Sequence, residues 1–251
     1  RNTQHQQQQM TRLVRQRTQE LENSNQRLNE LNEELQQLTH RDSQTGLRNS
    51  RFLHEQLPKD IEHFQRNLAS LQAQGKSIAL LVLQPEALAP LVQQHGKGIT
   101  DSLLQHFSAV LSRETRGSDY VVRLDNWQFV VVFRDIPLSQ VGAYGKKLAE
   151  QLSALTLSEG NSQQRLKVYG GYALYPLPLL GGQLLGWEVS LQLASLSASQ
   201  LLQNATPGVA SLQFAGQVDA FEFEDSAHIE AQVERLLAAG LAHFVLKNTS
   251  I

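Results

Sequence analysis

The chain contains no cysteine among its 251 residues. This absence excludes a disulfide framework, a thiol nucleophile and a zinc site built on cysteine, and it is compatible with a reducing cytoplasm. Long hydrophobic runs are also missing, since none approaches the roughly 20 residues that a membrane-spanning helix requires. No secretory signal peptide heads the sequence. We therefore expect a cytoplasmic protein, and a chain that begins at Arg1 without an initiator methionine suggests a fragment of a longer one.

A strong charge of one sign is lacking as well. The formal net charge is −2 and no long basic block occurs, which argues against nucleic acid as a partner. The eight histidines show no metal-ligand spacing, and no Ser/His/Asp arrangement for nucleophilic catalysis is present. The length allows one full hydrophobic core with an extension.

The first forty residues contain neither glycine nor proline and are rich in Gln, Asn, Glu and Arg. Apolar residues recur in steps of three and four, interrupted by Arg17 and Ser24, at Met10, Val14, Leu21, Leu28, Leu31, Leu35 and Leu38. This heptad pattern predicts a helix that forms a parallel coiled-coil homodimer. A solvated single helix and a Gln-rich disordered linker are the alternatives. Arginines at positions 12, 15 and 17 are similar to the linkers that follow membrane segments, so the cytoplasmic part of a membrane-anchored sensor is one interpretation.

Beyond residue 40, strand and helix patterns alternate. Helices are expected near residues 51–74, from about 86, and near 99–116, 138–155 and 187–203. Strands are expected near 77–83, 120–122, 129–133, 166–175 and 208–214. This order predicts an α/β fold, a mixed sheet covered by helices. Residues 216–251 are expected to add a strand–helix–strand unit, with a strand at 221–224, that extends the sheet or a dimer interface; docking of a partner is the alternative.

Two short segments resemble the GGDEF (diguanylate cyclase) family. Residues 42–51 are similar to the Asp-x-Leu-Thr-Gly-Leu-x-Asn-Arg segment that opens these domains, with Gln44 in place of a leucine and Asn49 placed to cap the next helix. Residues 123–129, Arg-Leu-Asp-Asn-Trp-Gln-Phe, lie between two apolar runs and predict the tight turn of the family's signature hairpin. The resemblance covers about residues 38–214. It implies a coiled-coil helix (1–40), a degenerate GGDEF domain with a nucleotidyl-cyclase-like mixed sheet (41–215) and an extension (216–251).

The resemblance implies the fold without the chemistry. The family joins two GTP molecules with Mg²⁺, a cation that needs oxygen ligands, usually carboxylates and phosphate. Laid on the family pattern, Gln84 and Trp127 replace the two metal-binding acids. This chain departs from the family pattern at further positions. In the hairpin, Asp125 and Asn126 replace the two glycines and Gln128 replaces the glutamate. After the first strand, Ala89 replaces a lysine and Val92 replaces the asparagine that reads guanine. Glu86 and Asp101 are retained acids, although a helix cap is the preferred interpretation of Asp101. We expect no cyclase activity, no bound metal and no cofactor.

A second site of the family, the RxxD inhibitory site that binds cyclic di-GMP, corresponds to Arg116 and Asp119. Lys146 and Lys147 are further candidate cations. Arginine suits phosphate or the guanine Hoogsteen edge, and a carboxylate suits the guanine N1–H and amino group. The alternative is a simple surface ion pair between Arg116 and Asp119. Trp127 is expected to plug the vacated nucleotide pocket, with an interface anchor as the alternative.

These residues support three hypotheses. In the first, the chain is a catalytically inactive receptor module for cyclic di-GMP. In the second, it is a nucleotide-independent dimerisation or docking scaffold that passes a signal to an unknown downstream protein. In the third, it is a weakly active diguanylate cyclase, which the substitutions at Gln84 and Trp127 disfavour most.

Overall fold

A computed structural model describes residues 2–38, 40–86, 88–124, 127–159, 162–177, 185–214 and 228–248. The chain forms two compact units, Arg1–Arg41 and Asp42–Ile251. No helix within the described ranges is long and apolar enough to cross a membrane. The strand expected at residues 221–224 lies outside these ranges.

The first unit is one helix, α1 (Asn2–Leu38). Its helical state follows from the absence of glycine and proline over this stretch and from its many straight-chain polar residues. Local pairs such as Arg17–Glu20, at 3.0 Å, stabilise its surface. The described apolar side chains of the heptad stripe are exposed on the single chain: Met10, Val14, Leu21, Leu28 and Leu31.

The second unit contains a seven-stranded mixed sheet in the order β1-β3-β4-β2-β7-β8-β9. Its strands are β1 (Arg48–Asn49), β2 (Lys76–Pro85), β3 (Tyr120–Arg123), β4 (Phe129–Pro137), β7 (Val168–Tyr175), β8 (Gly208–Phe214) and β9 (Ala242–Asn248). β3 and β4 pair as an antiparallel hairpin, whereas β7 and β8 pair in parallel. A separate two-stranded ribbon joins β5 (Thr156–Glu159) and β6 (Ser162–Arg165). The predicted mixed α/β fold is confirmed.

Helices cover both faces of the sheet. They are α2 (Ser50–Arg66), α3 (Leu68–Ala73), α4 (Leu88–Glu114), α5 (Val141–Ser153), α6 (Trp187–Gln203) and α7 (Ile229–Ala238). The central strand β2 is buried from Ser77 to Pro85, as expected of a strand covered on both sides. Its alternating side chains feed two cores, so that Leu81 packs with α4 and α5 while Leu80 packs with α2, α6 and α7.

Three local features differ from, or refine, the expected elements. The helix expected over residues 51–74 breaks at Asn67 into α2 and α3. α4 is kinked at Gly96, whose φ of 78° and ψ of 166° are not helical, so the two helices expected there join end to end. Asn49 accepts a hydrogen bond from the Phe52 N–H at 3.0 Å, which confirms it as the N-cap of α2.

The close contact between α6 and β7 depends on a glycine. A Cβ atom at Gly171 would lie 2.0 Å from the Ala194 carbonyl oxygen and 2.5 Å from the Ala198 nitrogen. Only a residue without a side chain lets the helix backbone approach the strand this closely.

The C-terminal segment adds an edge to the sheet. β9 pairs antiparallel with β8 along its whole length, from Gly208↔Asn248 to Phe214↔Ala242. α7 packs its Ile229, Val233 and Leu236 against the core shared with α2 and α6. These residues therefore belong to the same compact unit as the rest of the sheet.

Candidate functional site

The signature hairpin has the expected form. Its ladder runs from Tyr120↔Val132 to Arg123↔Phe129, and the Leu124 N–H donates to the Gln128 carbonyl oxygen at 2.8 Å. Asp125 and Asn126, at the tip, lie outside the described residues. Phe129 is fully buried and packs on Phe107 of α4, with ring centroids 4.7 Å apart. The hairpin is thus anchored to the helix that precedes it.

Trp127 has an unusual backbone conformation. Its φ of 107° lies in a region that favours glycine, and holding a bulky residue there costs on the order of 1–3 kcal/mol. Its partly buried ring packs against the hydrophobic cluster that includes Leu104 and Phe107. Packing of the indole against the domain's own core offsets part of that backbone cost.

Gln84, which stands at one of the two positions where the family has a metal-binding acid, forms an amide pair with Gln128, the residue after Trp127. Gln84, at the end of β2, is 7% exposed, and its Oε1 accepts a hydrogen bond from Gln128 Nε2 at 3.0 Å. Gln84 Nε2 is buried and has no hydrogen-bond partner among the described residues. An uncharged amide oxygen that already accepts a hydrogen bond is a poor substitute for a carboxylate, and the indole of Trp127 has no oxygen to offer.

Glu86 does not rebuild that site. Its backbone N–H donates to the Lys167 carbonyl oxygen at 2.8 Å, and its Oε1 accepts from the Lys167 N–H at 3.4 Å. Burial and, after it, the charge of Glu86 raise the pKa of the Tyr169 phenol, which places this carboxylate beside β7. Within the described ranges, no three His, Cys, Asp or Glu side chains are grouped so that they could hold a metal ion. The residues present do not fit the Mg²⁺ that the resemblance implies.

Asp101 has a partner that the sequence does not reveal. Its Oδ1 accepts a hydrogen bond from Gln44 Nε2 at 2.6 Å, and Gln44 Oε1 accepts from Arg123 Nη1 at 2.9 Å. The preferred interpretation of Asp101 as a helix cap is wrong, because α4 resumes directly after Gly96 and Asp101 lies inside its second half. The side chains of Ala89 and Val92 are outside the described set. Gln44 therefore joins the retained acid to the residue that opens the hairpin.

The same cluster includes an ion pair. Arg123 Nη1 lies 2.8 Å from Asp42 Oδ1, and Asp42 also accepts from the Thr45 hydroxyl at 2.6 Å. Burial acts to raise the pKa of Asp42, but the hydrogen bonds from Thr45 and Arg123 and the Arg123 charge outweigh it, so the pKa lies below its usual value. The turn at residues 42–45 is thereby fastened to the base of the hairpin.

Two cations of the candidate RxxD site flank one aromatic ring. The exposed Arg116 follows α4, and its guanidinium carbon lies 5.7 Å from the centroid of the Tyr144 ring. Lys147 Nζ, one turn along α5, lies 6.0 Å from the same centroid and 3.5 Å from Glu114 Oε2. Lys146 instead pairs with Glu150 at 3.7 Å on its own helix. Sequence reasoning missed Tyr144, although its position three residues before Lys147 was the available signal.

Asp119 lies at the end of the turn that begins at Arg116. Its Oδ1 accepts hydrogen bonds from the Arg134 N–H at 3.0 Å and the Ser118 hydroxyl at 3.3 Å. Burial raises its pKa above the usual value, against those hydrogen bonds and the charges of Arg116 and Arg134. The simple Arg116–Asp119 ion pair that was the alternative expectation is absent from the described part of the chain. The charge of Arg116 nevertheless acts on Asp119, so the two side chains are near each other.

The domain is a mixed α/β sheet with an antiparallel hairpin beside its central strand, and a long helix precedes it in the chain. Residues 39–180 match the family model described as "Diguanylate cyclase, GGDEF domain". The chain therefore belongs to the GGDEF family.

Solved structures from Pseudomonas aeruginosa and Caulobacter crescentus share this fold. The diguanylate cyclase SiaD of Pseudomonas aeruginosa, solved in complex with its activator SiaC, is 18% identical with a TM-score of 0.57, covering 80% of this chain and 72% of that one. The coiled coil and GGDEF domain of DgcB from Caulobacter crescentus, solved in complex with c-di-GMP, is 17% identical with a TM-score of 0.57, covering 75% and 95%. The FimX GGDEF domain of P. aeruginosa is 14% identical with a TM-score of 0.56, covering 68% and 98%. At these identities the likeness concerns the fold.

A curated relative adds little about function. It is an uncharacterised 76.5 kDa protein from Thiocystis violacea, 23% identical over 124 residues, which is 49% of this chain and 18% of the relative. The chain thus spans less than a fifth of the relative it matches.

Proposed function

We propose that this chain is a catalytically inactive GGDEF signalling module that binds cyclic di-GMP through Arg116, Asp119 and Lys147. The observation that carries the proposal is the arrangement of Arg116 and Lys147 about the Tyr144 ring, at 5.7 and 6.0 Å. Two exposed cations beside a half-buried tyrosine ring form a positively charged patch, which suits an anionic ligand such as a phosphate diester.

Each residue has a defined part in this binding. Arg116 is exposed and offers a planar fork of donors to a phosphate or to the O6 and N7 atoms of guanine. Asp119 offers carboxylate oxygens to the guanine N1–H and amino group. Lys147 contributes a point charge toward the phosphates. The cyclic di-GMP complex of the DgcB relative supports a ligand of this class.

Calorimetric titration with cyclic di-GMP tests the proposal directly. We expect the wild-type chain to give binding heat and the Arg116→Ala variant to bind at least about tenfold more weakly, because one charged hydrogen bond is worth about 1.5–3 kcal/mol. Arg113→Ala is the matched control, since Arg113 lies three residues earlier and is also exposed. Absence of heat from the wild type, or equal affinity of Arg116→Ala, contradicts the proposal.

The proposed inactivity rests on charge at the former metal site. Gln84 and Gln128 form a neutral amide pair joined by one hydrogen bond, so this pair supplies no positive charge to offset the repulsion between a triphosphate and the nearby Glu86. A weakly active cyclase is the competing function. Incubation with GTP and Mg²⁺ or Mn²⁺, followed by mass-spectrometric detection of cyclic di-GMP, separates the two; any product that scales with protein concentration favours the enzyme. Trp127, packed inward, acts in this proposal as a plug of the nucleotide pocket.

A second candidate function is supported by the N-terminal helix. Its exposed Val14, Leu21 and Leu28, at 57%, 64% and 60% exposure, fit a parallel homodimer of the kind the heptads predict. In this alternative the chain binds no nucleotide and passes a signal from the helix to a downstream protein. Sedimentation equilibrium tests the dimer; a dimer together with no cyclic di-GMP binding selects the scaffold. A cytoplasmic location, expected from the lack of cysteine, stays part of the proposal.

A further inference from the structure

Arg134 contacts the Arg116–Asp119 turn through both its backbone and its side chain. It lies on β4 just beyond the last pair of the β3–β4 ladder, Tyr120↔Val132. Its backbone N–H donates to Asp119 Oδ1 at 3.0 Å, and its Nε donates to the Ser118 carbonyl oxygen. One residue therefore fixes both the backbone and the carboxylate at the end of the turn.

The guanidinium of Arg134 is itself fixed by a buried acid. Arg134 Nη1 lies 3.3 Å from Oδ1 of Asp60, a residue of α2 that is 8% exposed. Asp60 also accepts hydrogen bonds from the Tyr120 hydroxyl at 2.9 Å and from Gln56 Nε2 at 2.9 Å. A buried carboxylate with three donors has little freedom to move, and removing one donor is costly because the charge is left incompletely paired.

We propose that Arg134, oriented by Asp60, is a positioning residue for ligand binding: it holds Asp119 and the Ser118 carbonyl in the arrangement that the cyclic di-GMP site requires. This inference rests on the proposed function. It follows from the contacts above, because Asp119 is otherwise part of an exposed turn between α4 and β3. A site formed on a turn binds tightly only when surrounding groups hold its side chains in place.

The prediction concerns affinity and local order together. Arg134→Gln removes the guanidinium that holds the Ser118 carbonyl but keeps the backbone N–H that donates to Asp119, and we expect cyclic di-GMP to bind about tenfold more weakly. Because the buried Asp60 loses its cationic partner, the melting temperature should fall as well, so affinity is measured well below the thermal transition. Arg134→Lys retains the charge, but its single ammonium group can reach only one of the two acceptors, the Ser118 carbonyl oxygen or the Asp60 carboxylate. We therefore expect an intermediate affinity. Arg66→Gln is the control, because the exposed Arg66 interacts with Glu62 of its own helix, through an ion pair at 3.7 Å and a hydrogen bond to the Glu62 carbonyl oxygen at 3.4 Å.

Amide hydrogen exchange without ligand gives an independent measurement. The Asp119 N–H donates to the Arg116 carbonyl oxygen at 3.0 Å, so its exchange reports on the turn. We expect exchange at Asp119 to be at least about tenfold faster in Arg134→Gln than in the wild type, and unchanged in Arg66→Gln.

The outcomes separate this inference from the proposed function. Weaker binding with faster exchange in Arg134→Gln supports the positioning role. Wild-type affinity in Arg134→Gln, or weaker binding with unchanged exchange, overturns that role while the ligand site stands. If the wild type gives no binding heat, the proposed function fails. Faster exchange of the Asp119 amide in Arg134→Gln then still supports the conclusion that Arg134 holds the turn, and unchanged exchange overturns it.

Discussion

The contact between Gln44 and Asp101 allows a quantitative prediction. Gln44 Nε2 donates to Asp101 Oδ1 at 2.6 Å, and Gln44 Oε1 accepts from Arg123 at 2.9 Å. Hydrogen bonds to charged groups contribute about 1.5–3 kcal/mol when desolvated, but Gln44 is exposed, so we expect about 1 kcal/mol from the Asp101 contact. Gln44→Leu should therefore lower the free energy of unfolding by about 1–2 kcal/mol, or the melting temperature by roughly 2–8 °C.

A double-mutant cycle isolates that contact from other effects. Gln44→Leu, Asp101→Ala and the double variant are unfolded by urea, with the fluorescence of the two tryptophans, Trp127 and the buried Trp187, as the probe. We expect a coupling free energy of about 1 kcal/mol between the two positions. Gln44→Leu combined with Glu230→Ala, on α7, is the additive control. A coupling below the additivity error of about 0.3–0.5 kcal/mol refutes the contact.

Three further results are expected. Gly171→Ala should lower the free energy of unfolding by about 3 kcal/mol or more in urea titration, because the added Cβ atom would lie 2.0 Å from the Ala194 carbonyl oxygen. Gly98→Ala is the control and should not lower it in this way, since a Cβ atom there has nothing within 4 Å. Because burial raises the pKa of Asp119 and protonation removes an acceptor, calorimetry should show cyclic di-GMP affinity falling as the pH is lowered, beginning at a higher pH than for an ordinary exposed aspartate; affinity that stays constant down to the lowest pH at which the domain is folded contradicts the carboxylate's role. Leu21→Glu with Leu28→Glu should turn the dimer into a monomer in sedimentation, and an unchanged mass rules out the helical interface.

The sequence predicts those features that depend on residues close together in the chain. The turn between β3 and β4 and the cap of α2 by Asn49 are local, and both are found. The ribbon β5–β6 is missed because Thr156–Glu159 and Ser162–Arg165 are largely polar and show no alternation of apolar residues. The break at Asn67 is missed as well, since it interrupts an apolar pattern that continues on both sides.

The site is predicted less completely, because its contacts join distant positions. Gln44 and Asp101 are 57 residues apart, and Arg134 and Asp60 are 74 apart. No periodicity or spacing relates such pairs, so the sequence predicts a helix cap at Asp101 and assigns no role to Arg134. The motif pattern identifies Arg116 and Asp119, but only the fold brings Tyr144 beside them.

The former nucleotide site at Gln84 and the surface around Arg116 differ in whether they carry the positive charge that a phosphate ligand requires. A bound triphosphate needs a metal cation to neutralise its charge, and the cation in turn needs carboxylate ligands. Because the pair Gln84–Gln128 is neutral, it offers no carboxylate to the cation and therefore no means of neutralising the triphosphate. The Arg116 surface needs no metal, because its arginine and Lys147 are themselves the counter-charges for a phosphate diester. We therefore expect substitutions that remove acids near β2 to weaken the first kind of binding and to leave the second unaffected. This asymmetry is why we favour a receptor over a residual enzyme.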